Sequence, residues 1–543
     1  MVCRLMIVVL AGVALSPAFS QTFTESNLPV VLIDTHGQTI VDDPKIMADM
    51  KIIDNGPGMM NHIDDTPNDY DGKIGIEIRG SSSQMFPKKQ YGIELWDEQE
   101  DGIDVSILGM PEEEDWVLFA PYNDKSLIRD ALAYKLGRDM GQYASRHRFC
   151  EVVLNGEYMG LFVFFEKVKR DGERVDIAKL EPEEITGDDL TGGYLFKIDK
   201  STGSGGDGWQ SKYAPPNRSG TQTIFFQYEY PKPDDIAPEQ KQYIKSFVDQ
   251  FEDVLASENF NDPTEGYSKY IDVESFIDYY LINELTKNVD AYRLSTFMHK
   301  QRDSDGGKLR MGPIWDFNLG FGNVDYCIMG NPEGFVTSFN YVCPDDFWLI
   351  PFWWSRLLSD QAFRVKLNER WDELRAGPFK TETILTYIDS VVTVLDAAQE
   401  RNFQRWPVLG EYVWPNYYVG QTFEQEVDWL KDWIAARLQW LDTYLPGVVT
   451  AASDGLDTTA RPRVFPNPFY ESLTLEYTLK RPGRVSIQLV DVTGRQVGLY
   501  PQGHLQPGHY RLTVDTSDYP SGMYRYGFLL DGNERLTGKL IKP

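Results

Sequence analysis

Two acidic residues in the middle of the chain stand in surroundings that do not suit a solvated charge. Asp290 lies in ELTKNVDAYRL and Asp316, 26 residues later, in GPIWDFNLGFG. Each sits among largely apolar or amide neighbours, whereas Asp303 and Asp305 fall in a charged, Gly-containing turn. A carboxylate between Trp315 and Phe317 must find a cation or several hydrogen-bond donors if it is buried. Asn288 and Asn318 place an amide close to each Asp, as an oxygen ligand or an orienting group. A turn carboxylate is the plain reading of Asp316 alone, and the pair with its two amides argues for more.

Other candidate groups are spread upstream. In GSSSQMFPKKQYGIELWD a small-residue turn leads into a strand that begins behind Lys88 and Lys89. Strand alternation puts Lys89 on the Tyr91–Ile93–Leu95 face, pointing inward, and Lys88 towards solvent. An inward lysine near small-residue backbone donors could hold phosphate as a point charge. An exposed lysine at a strand start is the plainer alternative. Arg129 lies beside the apolar stripe of a helix expected over 125–140 and could reach a carboxylate. Glu166 closes the apolar run of EVVLNGEYMGLFVFFEKV, where a charged strand end is the simpler account. The run holding Asp64, Asp65, Asp69 and Asp71 could bind a structural Ca²⁺, yet it lacks the EF-hand spacing and reads more simply as a solvated loop. The six His residues show no HExxH, so zinc is unsupported.

The elements that must position these groups follow from periodicity. LPVVLIDT, KIGIEIRG and YGIELWD alternate as strands, and Asn155-Gly156 marks a hairpin between two apolar strands. GGYLFKIDK and residues 222–230 read as further strands, followed by amphipathic helices in PEQKQYIKSFVDQFEDVLA and VESFIDYYLINELTKNVD. That places Asp290 at or just past a helix end. The segment from Leu294 to Trp315 reads as a hairpin-like excursion returning the chain beside its start. Helical patterns resume in FWWSRLLSDQAFRVKLNERWDELR, TETILTYIDSVVTVLDAAQERNFQRW and EQEVDWLKDWIAARLQWLDTYL, with aromatics at core spacing.

At 543 residues the chain can hold two to four domains. Its formal charge of −29, from 82 acids against 53 bases, rules against a nonspecific nucleic-acid binder. Residues 1–20 read as a secretory signal peptide, and no later apolar run of about 20 residues supplies a transmembrane span. Once Cys3 leaves with the signal, three cysteines remain; Cys327 with Cys343 is the natural pair, leaving Cys150 a free thiol. A small polar linker, 451–462, separates 21–450 from 463–543, where six or seven short alternating strands predict a small β-sandwich.

The motifs IRGSSSQMFPKKQYGIEL, NDKSLIRDALAYKLG, NGEYMGLFVFFEKV, GGYLFKID and GPIWDFNLGFG, in that order, resemble the CotH kinase family of spore-coat and secreted proteins. The resemblance implies an α+β, atypical protein-kinase-like fold, use of ATP with Mg²⁺ or Mn²⁺, and phosphoryl transfer to Ser or Thr of a protein acceptor. It makes Asp290 the catalytic Asp, with Asn288 beside it, and Asp316 the metal-binding Asp, helped by Asn318. It makes the FPKK lysines, Lys89 by strand facing and Lys88 as the alternative, the phosphate-contacting region. Arg129 is assigned to an internal ion network and Glu166 to the edge of the nucleotide cleft. The chain departs from ordinary kinases in lacking HRDLxxxxN and a true DFG triplet. RVFPNPF, LVDVTGRQV and SGMYRYGFLL resemble the type A sorting domain of the type IX secretion system, which implies an Ig-like tail, that secretion machinery as a partner and a secreted or outer-membrane surface location. Two other readings are a noncatalytic pseudokinase-like scaffold or adhesin, and a glycoside hydrolase built on an acid–nucleophile carboxylate pair.

Overall fold

The computed structural model describes residues 23–200 and 206–445, and in the tail 463–479, 483–491, 495–506, 508–530 and 533–542. The signal segment 1–20 and the linker 451–462 lie outside the described residues.

The first strands close on themselves. β1 (Val30–Asp34), β2 (Ile46–Ile53), β3 (Tyr70–Ile78), β4 (Tyr91–Trp96), β5 (Asp115–Phe119), β6 (His147–Leu154) and β7 (Glu157–Glu166) form a seven-stranded barrel in the order β1-β2-β3-β4-β5-β7-β6. Val30 pairs with Glu151 in the parallel β1–β6 ladder that completes it. The alternation seen in sequence fills the interior, since Ile74, Ile76, Ile93, Leu95, Phe162 and Phe164 are all buried in one cluster. Asn155 and Gly156 turn β6 into β7 with φ of 52° and 80°, the left-handed pair that a two-residue hairpin of this twist requires.

α1 (Arg129–Asp139) starts later than expected. The Asp124 carboxylate accepts hydrogen bonds from the Ser126 and Arg129 backbone N–H groups (3.1 and 2.8 Å), and Leu127 has φ of 67°. Residues 124–128 are thus a tight turn bound to one carboxylate, not a first helical turn.

The second half is a five-stranded sheet backed by helices. β8 (Tyr194–Ile198), β9 (Gly208–Gln210), β10 (Phe225–Tyr230), β11 (Thr296–Lys300) and β12 (Leu309–Met311) are ordered β9-β10-β8-β11-β12. β11 and β12 are the excursion between the two candidate acids, with Met298 opposite Met311. α2 (Pro238–Ala256) and α3 (Val273–Thr286) precede it; α4 (Gln361–Ala376), α5 (Thr381–Arg405) and α6 (Phe423–Tyr444) follow. The FWWSRLL pattern is broken in two, because the Asp360 side chain accepts from Ala362 and Phe363 N–H and starts α4 afresh. Trp353, Trp354 and Trp371 are fully buried in the shared core, and truncating one to Ala costs about 3–5 kcal/mol. Cys327 and Cys343 are disulfide-bonded, and Cys150 is a buried free thiol.

The tail is all-β. β13 (Arg463–Phe465), β14 (Ser472–Leu479) and β17 (Gly508–Asp515) form one sheet; β15 (Gly483–Asp491), β16 (Gln496–Leu505), β18 (Gly522–Leu530) and β19 (Asn533–Lys542) form the other. Leu473 and Leu475 of the first sheet share a core with Ile487 and Phe528 of the second. Among the described residues no helix is long and apolar enough to cross a membrane.

Candidate functional site

The two central acids are brought together by the return of the β11–β12 hairpin. α3 ends at Lys287 in a left-handed conformation (φ 46°), which turns the chain into Asn288. The Asn288 Oδ1 accepts the Asp290 N–H (3.2 Å), and its Nδ2 donates to the Asp316 backbone carbonyl (3.0 Å). Asn288 therefore staples one acidic segment to the other.

Asp290 is positioned from behind. Buried Arg293 donates Nη2 to Asp290 Oδ1 (2.9 Å), Nε to Val289 O (2.8 Å), and Nη1 to Asp346 Oδ1 (3.1 Å) and Trp348 O (3.2 Å). Its guanidinium lies 4.1 Å from the Phe339 ring centroid. One side chain thus ties Asp290 to the segment that the Cys327–Cys343 disulfide closes.

Asp316 is held in an unusual backbone conformation, φ 64°, one that a non-glycine residue keeps only when its surroundings impose it. Two α1 side chains do so. The Tyr134 hydroxyl accepts the Asp316 N–H (3.2 Å), and Asp130 Oδ1 accepts the Phe317 N–H (2.7 Å). Burial, followed by the fields of Asp290 and Asp199, pushes the Asp316 carboxyl up to about 6. Ser295 Oγ donates to Asp316 Oδ2 at 3.4 Å. Asp199, just past β8, has its carboxyl raised chiefly by burial and receives backbone N–H groups from Lys200 and Ser295. Three carboxylates, 199, 290 and 316, therefore share one cleft, where the charges of the first two raise the third.

The upstream candidates separate from this centre. The two lysines have exchanged the places that alternation assigned, because regular strand pairing begins only at Tyr91. Lys88 is buried, with Nζ donating to Leu161 O (2.5 Å) and Asn402 Oδ1 (2.8 Å), and burial lowers it to about 7. It pins α5 to β7. Lys89 is half-buried and donates to Gln84 O (2.5 Å). Arg129 is fully buried and paired with Asp124, an internal ion network. Glu166 is also fully buried, accepting from Arg146 N–H (2.8 Å), Arg146 Nε (2.8 Å) and the Tyr143 hydroxyl (3.4 Å). Asn318 donates its Nδ2 to Asn123 Oδ1 (3.3 Å). Of the acidic loop, Asp65 accepts from His62 N–H (2.9 Å) and Asn55 Nδ2 (2.9 Å), bracing its own turn, and Asp69 accepts from Leu108 N–H (2.9 Å), tying that loop to the one before β5.

Sequence reasoning missed Arg79, Asp130, Tyr134, Asp199, Lys200 and Arg293. Some signals were present. Arg79 opens the IRGSSS turn, Asp199 ends an alternating strand, and Arg293 lies three residues past Asp290, within reach on one helical turn.

A second acidic group lies at the start of β5. Carboxylate oxygens of Glu113, Glu114 and Asp115 all come within 4.8 Å of one another and could coordinate a divalent metal. Lys169 Nζ already reaches all three (2.7, 2.6 and 3.0 Å), and Arg174 pairs with Glu113 (2.8 Å). Burial works to raise Asp115, but Lys167, Lys169 and Lys45 outweigh it and hold its carboxyl well below the usual range.

Residues 76–441 match the CotH kinase protein family. The chain belongs to that family. As a CotH kinase family member it is classed as an atypical Ser/Thr kinase. Residues 463–543 match the secretion system C-terminal sorting domain, which directs the protein to a secreted or cell-surface location and implies contact with the secretion machinery. No curated protein matches the chain. Among solved structures, the alkylpurine DNA glycosylase AlkC of Pseudomonas fluorescens, bound to DNA containing an abasic site analog, is 16% identical with a TM-score of 0.13. That match covers 35% of this chain and 65% of the glycosylase, and at such a score the likeness carries no argument.

Proposed function

We propose that this CotH kinase family member transfers the γ-phosphoryl group of ATP to a Ser or Thr hydroxyl of a protein acceptor during or after export. The observation that carries the reading is Asp316, held at positive φ, with Asp290 stapled to it by Asn288 and a carboxyl raised by burial and by its acidic neighbours. Carboxylates that raise one another in this way are what a divalent cation relieves, and these oxygen donors fit Mg²⁺ or Mn²⁺. A cation bound there would neutralise phosphate oxygens at the point of transfer.

The chain's own residues divide the remaining work. Asp316 is the metal-ligating carboxylate, and Tyr134 with Asp130 fixes the backbone that presents it. Asp290 accepts the proton of the acceptor hydroxyl, and Arg293 orients its carboxylate for that. Asn288 holds the two acids in register. Transfer needs alignment and electrostatic stabilisation more than covalent help. Lys88, Arg129 and Glu166 have their charges committed to internal partners, and in this reading they are structural.

The tail is read as an Ig-like sandwich that serves export, and the boundary as the 451–462 linker; limited proteolysis should yield a stable fragment ending in that stretch. The activity is tested with the mature protein, γ-labelled ATP, Mg²⁺ or Mn²⁺, and Ser-rich acceptors including the protein itself. Metal-dependent labelling on Ser or Thr, mapped by mass spectrometry, is the expected result. Tight nucleotide binding with no labelling of any acceptor would sink the kinase reading in favour of a noncatalytic scaffold.

A further inference from the structure

The cleft holds three carboxylates and, among the described residues, two cations that none of them has claimed. Arg79, one residue past β3, stands half-buried with its guanidinium 5.5 Å from the Trp315 ring centroid. Among the described residues it forms no ion pair within 4.0 Å and no side-chain hydrogen bond. Lys200, one residue past Asp199, has Nζ 5.4 Å from the Trp348 ring centroid and likewise no ion pair among the described residues. Neighbouring cations behave differently: Lys197 pairs with Glu229 at 2.8 Å, Arg293 with Asp290 at 2.9 Å and Arg146 with Glu166 at 2.7 Å. Trp315, beside which Arg79 lies, directly precedes Asp316, and Ser295 joins Asp316 to the Asp199 that Lys200 follows: its Oγ donates to Asp316 Oδ2 (3.4 Å) and its backbone N–H to the Asp199 carboxylate.

We propose that Arg79 and Lys200 form a phosphate clamp beside Asp316, taking the triphosphate chain of a nucleotide. Arg79 comes from the barrel and Lys200 from the five-stranded sheet, so the clamp spans both halves of the domain. A guanidinium steadied beside an indole ring and lacking a carboxylate presents its fork to an incoming phosphate, which it binds in bidentate fashion. The flexible ammonium of Lys200 adds a point charge beside the acids that would otherwise repel a polyphosphate. The charge that sequence reasoning sought in Lys88 and Lys89 is supplied from the strand end and from the opposite sheet.

The proposal rests on the kinase reading, and calorimetry on the full mature chain separates the two. The probes are inorganic tripolyphosphate without metal, and ATP with Mg²⁺. Arg79→Gln and Lys200→Gln should each weaken both probes at least tenfold with the melting temperature maintained. Arg79→Lys should fall between them and wild type, since it keeps the charge and loses the fork. Lys212→Gln, an exposed lysine paired with Asp253, should bind as wild type does. If the folded Arg79 and Lys200 variants bind within twofold of wild type while Asp316→Asn loses Mg²⁺–ATP, the clamp is wrong and the kinase reading stands. If Lys89→Gln loses tripolyphosphate in their place, the loop lysine is the contact and the clamp is overturned. If tripolyphosphate binding depends on Arg79 and Lys200 but no phosphoryl transfer is found, the clamp stands without the kinase. Wild type that binds neither probe overturns both.

Discussion

Two groups of three carboxylates in this domain behave as opposites. At the start of β5, Glu113, Glu114 and Asp115 are matched by Lys169, Arg174, Lys167 and Lys45, and the net field lowers Asp115. In the cleft, Arg293 pairs with Asp290, Asp290 and Asp199 both act on Asp316, and the net effect raises Asp316. The tighter cluster of oxygens is thus the satisfied one. Close carboxylates indicate a ligand only when protein cations have not already balanced them. Charge left over after the internal pairs are counted is the better guide to a site.

The largest test of this contrast is at β5. Glu113→Ala removes the nearer carboxylate of the buried Arg174 guanidinium, leaving only Glu166 at 3.9 Å, and breaking such a pair costs about 3–5 kcal/mol. Chemical denaturation should show that loss, while metal–nucleotide affinity stays at the wild-type value in conditions where the variant is folded. Loss of metal binding with stability intact would reverse the assignment of the two clusters. Next comes Asp290→Asn, which should lower phosphoryl transfer by roughly 10²-fold or more, the scale for losing a positioned proton acceptor. Nucleotide affinity should change little, and single-turnover labelling at the wild-type rate would remove Asp290 from the chemistry. Asp316→Asn should weaken Mg²⁺–ATP at least tenfold with little change in melting temperature; unchanged affinity by calorimetry would remove its metal role.

A test read through pH rather than affinity concerns a third kind of buried acid, one with neutral donors and, among the described residues, no cation. Glu252 accepts from Trp353 Nε1 (2.9 Å) and Ser211 Oγ (2.8 Å), and burial pushes it up to about 7. The folded protein then keeps a proton that the unfolded chain releases near its ordinary value of 4.5. Native stability from this group is therefore greatest at low pH and falls as pH rises from that value to about 7, by roughly 1.4 kcal/mol per unit of difference. Glu252→Gln has no proton to lose. Its melting temperature should exceed that of wild type at pH 8 and converge with it at pH 5, and a constant gap at both pH values would refute the shift.

Local pattern settled a good deal. Alternation and the Asn155-Gly156 pair marked β3, β4, β6 and β7, three-to-four spacing marked α2 and α3, and the return between Asp290 and Asp316 was legible as a hairpin. Even the isolation of Asp316 between two aromatics pointed to the site, because a charge with no sequence neighbour must be answered in space. What the chain could not disclose were matters of partner choice at long range. Barrel closure depends on Val30 meeting Glu151 across more than a hundred residues. The roles of Lys88 and Lys89 were exchanged because facing rules hold inside a ladder and fail in the loop before it. Lys88 met Asn402 from α5, and Arg79 and Lys200, from separate sheets, paired with no carboxylate among the described residues. Side-chain type and spacing determine which charges exist and on which elements they ride. Only the packing of those elements decides which charges are neutralised and which remain available to a ligand, since that depends on distances and burial that no local pattern encodes.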